Sequence, residues 1–309
     1  MKKLKSSGWK IFLALILGIT GSQLGIATSQ ANPNYKRFSQ WCMAKENLPE
    51  ETRHTVEELL RKVKTEDCDE AEQRFSEITR LGSFNGRGIS DLSPLQSLTH
   101  LTFLSFTSNK VVDIKPLSSL TNLTEIRLNR NDIQDISPLS SLTNLTEIHL
   151  ERNRIQDLTT LSNLKNLSKL SLSHNDISDL TPLSNLKNLT LLWLSGNRIS
   201  NVSPLSNLSA LWNLSLSSNQ IDDLTPLSTL VNLTGLSLGF NQVSDLTPLA
   251  SLHQLVILQF PNNQVSDVSP LTSLTQLSDV SLKDNPIDDF SILWTIPSME
   301  RIYFDSIHD

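Results

Sequence analysis

The sequence predicts an α/β repeat fold: a curved solenoid of stacked coils, with a parallel sheet on the concave face, short 3₁₀ turns on the convex face and a helical N-terminal cap. Three observations support this. From about residue 79 onward one pattern recurs every 22 residues, as in Leu120-Thr-Asn-Leu-Thr-Glu-Ile-Arg-Leu-Asn-Arg-Asn-Asp-Ile-Gln-Asp-Ile-Ser-Pro-Leu-Ser-Ser141. Its asparagines keep register without a slip at Asn109, Asn131, Asn153, Asn175, Asn197, Asn219, Asn241, Asn263 and Asn285. The 309 residues are 38% hydrophobic but only 6% aromatic, so the core must be aliphatic. A fixed period in the twenties marks small units that bury their apolar faces on one another.

Residues 1–31 read as a secretory signal. Lys2, Lys3, Lys5 and Lys10 precede the apolar run 11–18, and Ser29-Gln-Ala31 places small residues at the cleavage spacing. The run is shorter than the roughly 20 residues of a membrane span, and no later stretch replaces it. A soluble, exported and monomeric protein, periplasmic or extracellular, is therefore expected; an uncleaved signal anchor is the alternative. Losing those four lysines takes the formal charge from −6 to −10. Such an acidic chain presents the wrong field for nucleic acid.

Residues 34–80 are expected to form the helical cap. Phe38, Trp41 and Cys42, then Val56, Leu59, Leu60 and Val63, then Ala71, Phe75, Ile78 and Leu81 fall at helical spacings. Pro49, Glu50 and Glu51 mark the start of the second helix, since proline and acids both suit a first turn. The only two cysteines, Cys42 and Cys68, are expected to close a disulfide in an oxidising compartment, two free thiols being the alternative. The bridge would contribute roughly 3 kcal/mol on the chain-entropy model. The acidic run 66–70 lacks the glycine and alternating oxygen ligands of a calcium loop.

Residues 81–309 form the solenoid, with a C-terminal cap in the last coil. Each coil carries seven apolar positions, exemplified by Leu120, Leu123, Ile126, Leu128, Ile133, Ile136 and Leu139, which only neighbouring coils can cover. Residues 126–128 alternate in and out with period two, predicting a short strand paired in parallel with 104–106 and 148–150. Ten such strands are expected, the last at 302–304. The asparagine offers both a donor and acceptors, so buried at the turn it can satisfy backbone groups released by the strand. Arg87 holds the equivalent place in the first, partial coil.

On the far side, Ser93-Pro94, Ser137-Pro138, Thr181-Pro182, Ser203-Pro204, Thr225-Pro226, Thr247-Pro248 and Ser269-Pro270 read as turn starts. The hydroxyl is expected to cap a free N–H while proline takes the first helical position. Thr160 and Ile292 replace the proline and are expected to loosen their turns. At the end, Phe290, Leu293, Trp294, Ile296, Met299, Ile302 and Phe304 are expected to close the last face with bulkier side chains.

The Leu-x-x-Leu-x-Leu-x-x-Asn core, the Leu-Thr-Asn-Leu-Thr consensus and the Asp-x-Ser-Pro-Leu turn closely resemble the internalin-type leucine-rich repeats of bacterial surface proteins, over about 230 residues. The resemblance implies a right-handed, curved solenoid with a helical cap that recognises a protein partner on its concave face. No immunoglobulin-like segment or wall-attachment motif follows the repeats in this sequence. The intracellular phosphatase-regulating solenoids are a more distant likeness, in a compartment that the signal does not match.

The outward strand positions form a column: Ser105, Arg127, His149, Ser171, Trp193, Ser215, Ser237, Gln259, Ser281 and Tyr303. A small polar face is solvated by default, so departures carry the information. Trp193 is one, with Phe240 in a neighbouring column and Trp212 just before a strand; large aromatics in a concavity are interface anchors, or pack on adjacent side chains. Glu125, Arg127, Arg130, Glu147, His149, Glu151, Arg152 and Arg154 form a mixed-charge patch whose members can simply pair across strands. Candidate partner-binding residues are thus Arg127, His149, Glu151, Trp193, Trp212 and Phe240. No nucleophile, base and orienter converge, and no metal-ligand spacing or phosphate loop appears, so no enzyme, metal or cofactor is expected. A protein is the expected partner, and an envelope polysaccharide the alternative.

Overall fold

A 22-residue coil spends most of its length turning, which leaves about three residues extended. The computed structural model describes residues 35–304; the signal reading at 1–31 lies outside the described residues. The strands are β1 (Arg80–Leu81), β2 (Phe103–Ser105), β3 (Glu125–Arg127), β4 (Glu147–His149), β5 (Lys169–Ser171), β6 (Leu191–Trp193), β7 (Asn213–Ser215), β8 (Gly235–Ser237), β9 (Ile257–Gln259), β10 (Asp279–Ser281) and β11 (Arg301–Tyr303). They form one sheet in chain order, and every neighbouring pair is parallel. Ile126 lies opposite Ile148, and Ile148 opposite Leu170, so the register advances one repeat per strand.

Eleven strands stand where ten were expected, because the partial first coil contributes the two-residue β1. The strands also start one residue earlier than the alternation suggested. The ladder nonetheless runs on past them: Leu128 N–H donates to His149 O at 2.9 Å, and Arg130 N–H to Glu151 O at 2.7 Å.

The core is one continuous aliphatic column. Leu120, Leu123, Ile126, Leu128, Ile133 and Leu139 are all 0% exposed, and the same positions are buried coil after coil. Each buried asparagine stitches its coil to the one before. Asn153 Nδ2 donates to Leu150 O at 2.9 Å and to Leu128 O at 3.1 Å, while its Oδ1 accepts Ile133 N–H at 3.1 Å. Asn109, next to the N-terminal helices, accepts from both Arg87 and Ile89 N–H, at 3.1 and 3.0 Å, and still donates to Phe84 O at 2.8 Å.

The polar letters of the consensus have the same purpose. Asn122, Asn144, Asn166 and Asn188 donate to the carbonyls of Thr99, Thr121, Thr143 and Lys165, a second ladder on the opposite side of the coil. The hydroxyls of Thr124, Thr146, Ser168 and Thr190 each donate to the residue one coil earlier in their own column.

The turns correct one expectation. The Ser/Thr hydroxyl does not cap a backbone N–H; the aspartate two residues earlier does. Asp135 Oδ1 accepts Ser137 N–H at 2.7 Å, and Ser137 Oγ donates to Asp135 Oδ2 at 2.9 Å. A longer carboxylate reaches forward over the turn, and the hydroxyl, already a good donor, adds to that grip. The turns lacking proline still close: Leu161 N–H reaches Leu158 O at 2.8 Å, and Leu293 N–H reaches Phe290 O at 3.0 Å.

Before β1 lie helices α1 (Phe38–Met43), α2 (Glu50–Val63) and α3 (Cys68–Ser76). They bury Phe38, Trp41, Val56, Leu59, Leu60 and Phe75. Ile78 and Leu81 are not on the third helix as their spacing suggested, since α3 ends at Ser76 and Leu81 belongs to β1. A disulfide joins Cys42 to Cys68 with Cα atoms 5.5 Å apart. The acidic run is spent on α3, whose first turn is capped by Asp67 Oδ1 accepting from Asp69 N–H at 3.0 Å and Glu70 N–H at 2.8 Å. The helices dock on the first coil through Thr55 Oγ1 to Asp91 O at 2.7 Å and the His54 ring to Arg87 O at 2.7 Å.

At the other end, Leu293 and Ile296 are buried, but Trp294 is 54% exposed and does not close the face. It sits in the convex turn Ser291–Thr295, at the outward position that Ser140 holds in an earlier coil.

Candidate functional site

Because the coil folds inward at positions 126 and 128, its intervening side chains face out on the concave sheet. Two columns result. One runs through Phe103, Glu125, Glu147, Lys169, Leu191, Asn213, Gly235, Ile257, Asp279 and Arg301, the other through Ser105, Arg127, His149, Ser171, Trp193 and on to Tyr303. Their chemistry changes along the stack.

Over β3 to β5 the face is charged and internally paired. Arg127 Nε donates to Glu125 Oε1 at 2.6 Å, Arg80 approaches Glu125 Oε2 at 3.2 Å, and Lys169 Nζ donates to Glu147 Oε1 at 2.7 Å. Arg80 also lies 4.0 Å over the Phe103 ring. His149 lies beside Arg127 and turns toward Glu147, its Nε2 3.8 Å from Oε2. Burial, and then the Arg127 charge, hold the imidazole below its ordinary pKa. Glu151 makes no ion pair with His149, although its charge acts on the imidazole; its carboxylate accepts the Ser171 hydroxyl. Arg154 pairs with Asp132 at 2.6 Å, off the concave face. Arg130 and Arg152 stand at the left-handed turn positions, φ 56° and 55°, exposed and without an ion pair among the described residues.

Over β6 to β9 large apolar side chains interrupt an otherwise small polar face. Trp193 is partly buried on β6 beside Leu191, and Ser171, between His149 and Trp193 in the column, is 0% exposed. Trp212 is 47% exposed, Val256 36% and Ile257 43%. Trp212 and Val256 take the place of the hydroxyl that stitches other coils, so they depart from a position with a structural task. Gly235 lies between these residues with no side chain, and a Cβ there would meet Asn213 Nδ2 at 2.6 Å. Charge returns at the end, where Arg301 pairs with Asp279 at 2.8 Å.

Trp193 and Trp212 therefore stand on adjacent coils, and Arg127 and His149 lie opposite each other on adjacent strands elsewhere in the sheet. Phe240 belongs to neither strand column. It holds the left-handed turn after β8, φ 58°, and projects from the rim 57% exposed. Sequence reasoning passed over Leu191, Val256 and Ile257, though each breaks a polar column and so carried a readable signal. It also passed over the approach of Glu125, Glu147 and His149, whose donor atoms all lie within 4.8 Å of one another. Concavities of about 310 and 350 Å³ lie on the flanks of the coils, lined by Gln134, Asp135 and Arg154 or by Val231, Asn232 and His253. In the second, which Ser251 also lines, the Ser251 hydroxyl donates to Ser228 O at 2.8 Å rather than to His253.

A family model described as "Leucine Rich repeats (2 copies)" matches residues 121–163, 165–207 and 212–251. No curated protein sequence matches the chain. Among solved structures, an internalin C2 from Listeria monocytogenes is 38% identical, with 61% of this chain and 83% of that one aligned at a TM-score of 0.59. An internalin (inlF) from the same organism is 28% identical over 82% of this chain and 90% of that one, at a TM-score of 0.64. The chain is also similar to that in the PEPR1-AtPEP1 structure, at 27% identity and a TM-score of 0.58, over 72% of this chain and 34% of that one.

Proposed function

The chain belongs to the internalin family of leucine-rich-repeat proteins, and from that premise we propose that it is an exported, non-catalytic module that recognises a protein partner with its concave face. Residues 1–31 direct export, 34–80 cap the first coil and 81–309 form the binding solenoid. The disulfide supports an oxidising compartment. No helix among the described residues is long and apolar enough to cross a membrane.

One observation carries the reading. Leu191, Trp193, Trp212, Val256 and Ile257 place large apolar side chains among the small polar residues of β6 to β9, between the charged strands β3 to β5 and the Asp279–Arg301 pair. Partner interfaces concentrate their energy in central apolar anchors within a polar surround that sets register and excludes wrong partners. Sugars, by contrast, suit flat isolated rings such as Phe240. The pairing of PEPR1 with AtPEP1 in its structure is a use of the same fold consistent with this reading.

The test is affinity capture from envelope and secreted fractions, followed by measurement of the dissociation constant of the captured protein. A Trp193→Ala, Trp212→Ala variant with unchanged circular dichroism and unfolding midpoint is expected to bind at least roughly thirtyfold more weakly, the ~2 kcal/mol of a hot spot. Arg127→Ala is expected to slow association and reduce its salt dependence. Equal affinity of the double variant places binding elsewhere. Recovery of glycan alone makes the envelope polysaccharide the partner.

A further inference from the structure

The 22-residue register brings together three donor groups that the sequence keeps apart. Glu125 lies opposite Glu147 across β3 and β4, and His149 shares the outward face of β4 with Glu147. The two carboxylates and the imidazole present donor atoms within 4.8 Å of one another.

Two features separate this cluster from an ordinary acidic surface. His149 Nε2 is shut off from solvent and has no hydrogen-bond partner. The carboxylate it pairs with, Glu147 Oε2 at 3.8 Å, is beyond hydrogen-bond reach. Buried polar atoms are nearly always satisfied, so a nitrogen lone pair or N–H held this way is an exception that a bound ion would resolve. The carboxylates, meanwhile, are held from outside the cluster, Glu125 by Arg127 and Arg80 and Glu147 by Lys169. Each carboxylate has about four acceptor sites, so these contacts orient it and leave lone pairs for an ion.

We propose that Glu125, Glu147 and His149 form a binding site for Zn²⁺ or a similar transition-metal ion on the concave face. Tetrahedral ligands at about 2.1 Å from zinc stand about 3.4 Å apart, so donor atoms that lie within 4.8 Å of one another draw together by up to about 1.4 Å as side chains rotate. Three protein donors leave the fourth position open for water or an incoming ligand atom. The imidazole selects against calcium and magnesium, which take oxygen shells. Arg127 and Lys169 compete with the ion for the carboxylates, which keeps the site exchangeable.

The experiment needs no partner, so it succeeds or fails independently of the recognition reading above. The full chain, stripped with chelator, is titrated with Co²⁺ and then Zn²⁺, reading the visible cobalt absorption and calorimetry. Expected are one ion per chain, an intense four-coordinate cobalt spectrum displaced by Zn²⁺, and no displacement by excess Ca²⁺ or Mg²⁺. His149→Ala and Glu147→Gln should each weaken binding at least tenfold, while Asp279→Asn, on the same outward column but six strands along, should leave it unchanged. Should His149→Ala not fold, His149→Gln reads the same loss in a side chain of similar reach. Absence of saturable binding to the wild-type chain, or equal affinity after loss of His149, overturns the proposal.

Discussion

A single residue type, asparagine, decides whether neighbouring coils stay in register. Asn153 is 8% exposed and satisfies two carbonyls and one N–H that the turn would otherwise strand. Asn153→Ala leaves these groups buried and unpaired, at about 1–3 kcal/mol each where they cannot relax to water. A loss of about 2–4 kcal/mol is expected from denaturant unfolding of the variant. Asn122 bonds the same way to Thr99 O at 2.9 Å but lies exposed, so Asn122→Ala should cost less than about 1 kcal/mol. Equal losses at the two sites would show that burial does not set the cost. Trp212 illustrates the converse, since it stands in a column where hydroxyls stitch coils, and its ring is exposed instead.

Among the elements, the convex turns tie stability to pH. Hydroxyl and backbone N–H bonds from Thr159 hold the Asp157 carboxyl below its usual pKa, and Thr225 and Thr247 do the same for Asp223 and Asp245. At Asp267 the Ser269 N–H contributes first and its hydroxyl second. A depressed folded pKa means the contribution is present above the unfolded carboxylate value and is lost as pH falls through the folded one. The unfolding midpoint should therefore hold from neutral pH to about 5 and decline below about 4. Asp223→Asn, Asp245→Asn, Asp267→Asn combined should flatten that acid decline. The chain already uses the exchange once, with Asn201 Oδ1 accepting Ser203 N–H at 2.9 Å. An unaltered acid profile in the triple variant would rule the turns out as its source.

For the whole molecule, stability is a sum over neighbouring coils, so the ends matter more than their size suggests. The N-terminal helices cover the apolar end of the first coil, and Cys42–Cys68 ties the first of them to the third. Reduction of the bridge, or Cys42→Ser with Cys68→Ser, should lower unfolding stability by about 2–4 kcal/mol. Hydrogen exchange should show that loss first in residues 35–100 and spreading inward. Uniform loss along the stack would contradict nearest-neighbour behaviour. The opposite end, with Trp294, Tyr303 and Phe304 exposed, should show weaker protection than the central coils in the intact protein.

The period, the aliphatic core, the asparagine ladder and the disulfide were legible in the sequence, because each rests on a residue repeating at one spacing or on a pair with no other partner. The outward columns were legible as a direction, since side chains alternate along any strand. Which outward residues act together was not. Whether Ser171 is covered, whether His149 faces Glu147 or Glu151, and whether Trp212 and Ile257 share a sector with Trp193 depend on the lateral spacing of strands and on the rotamers their neighbours leave open. Those relations join residues one or more whole repeats apart. They exist only once stacking has placed the coils side by side, and so the sequence determines the scaffold while the tertiary structure decides the surface that it presents.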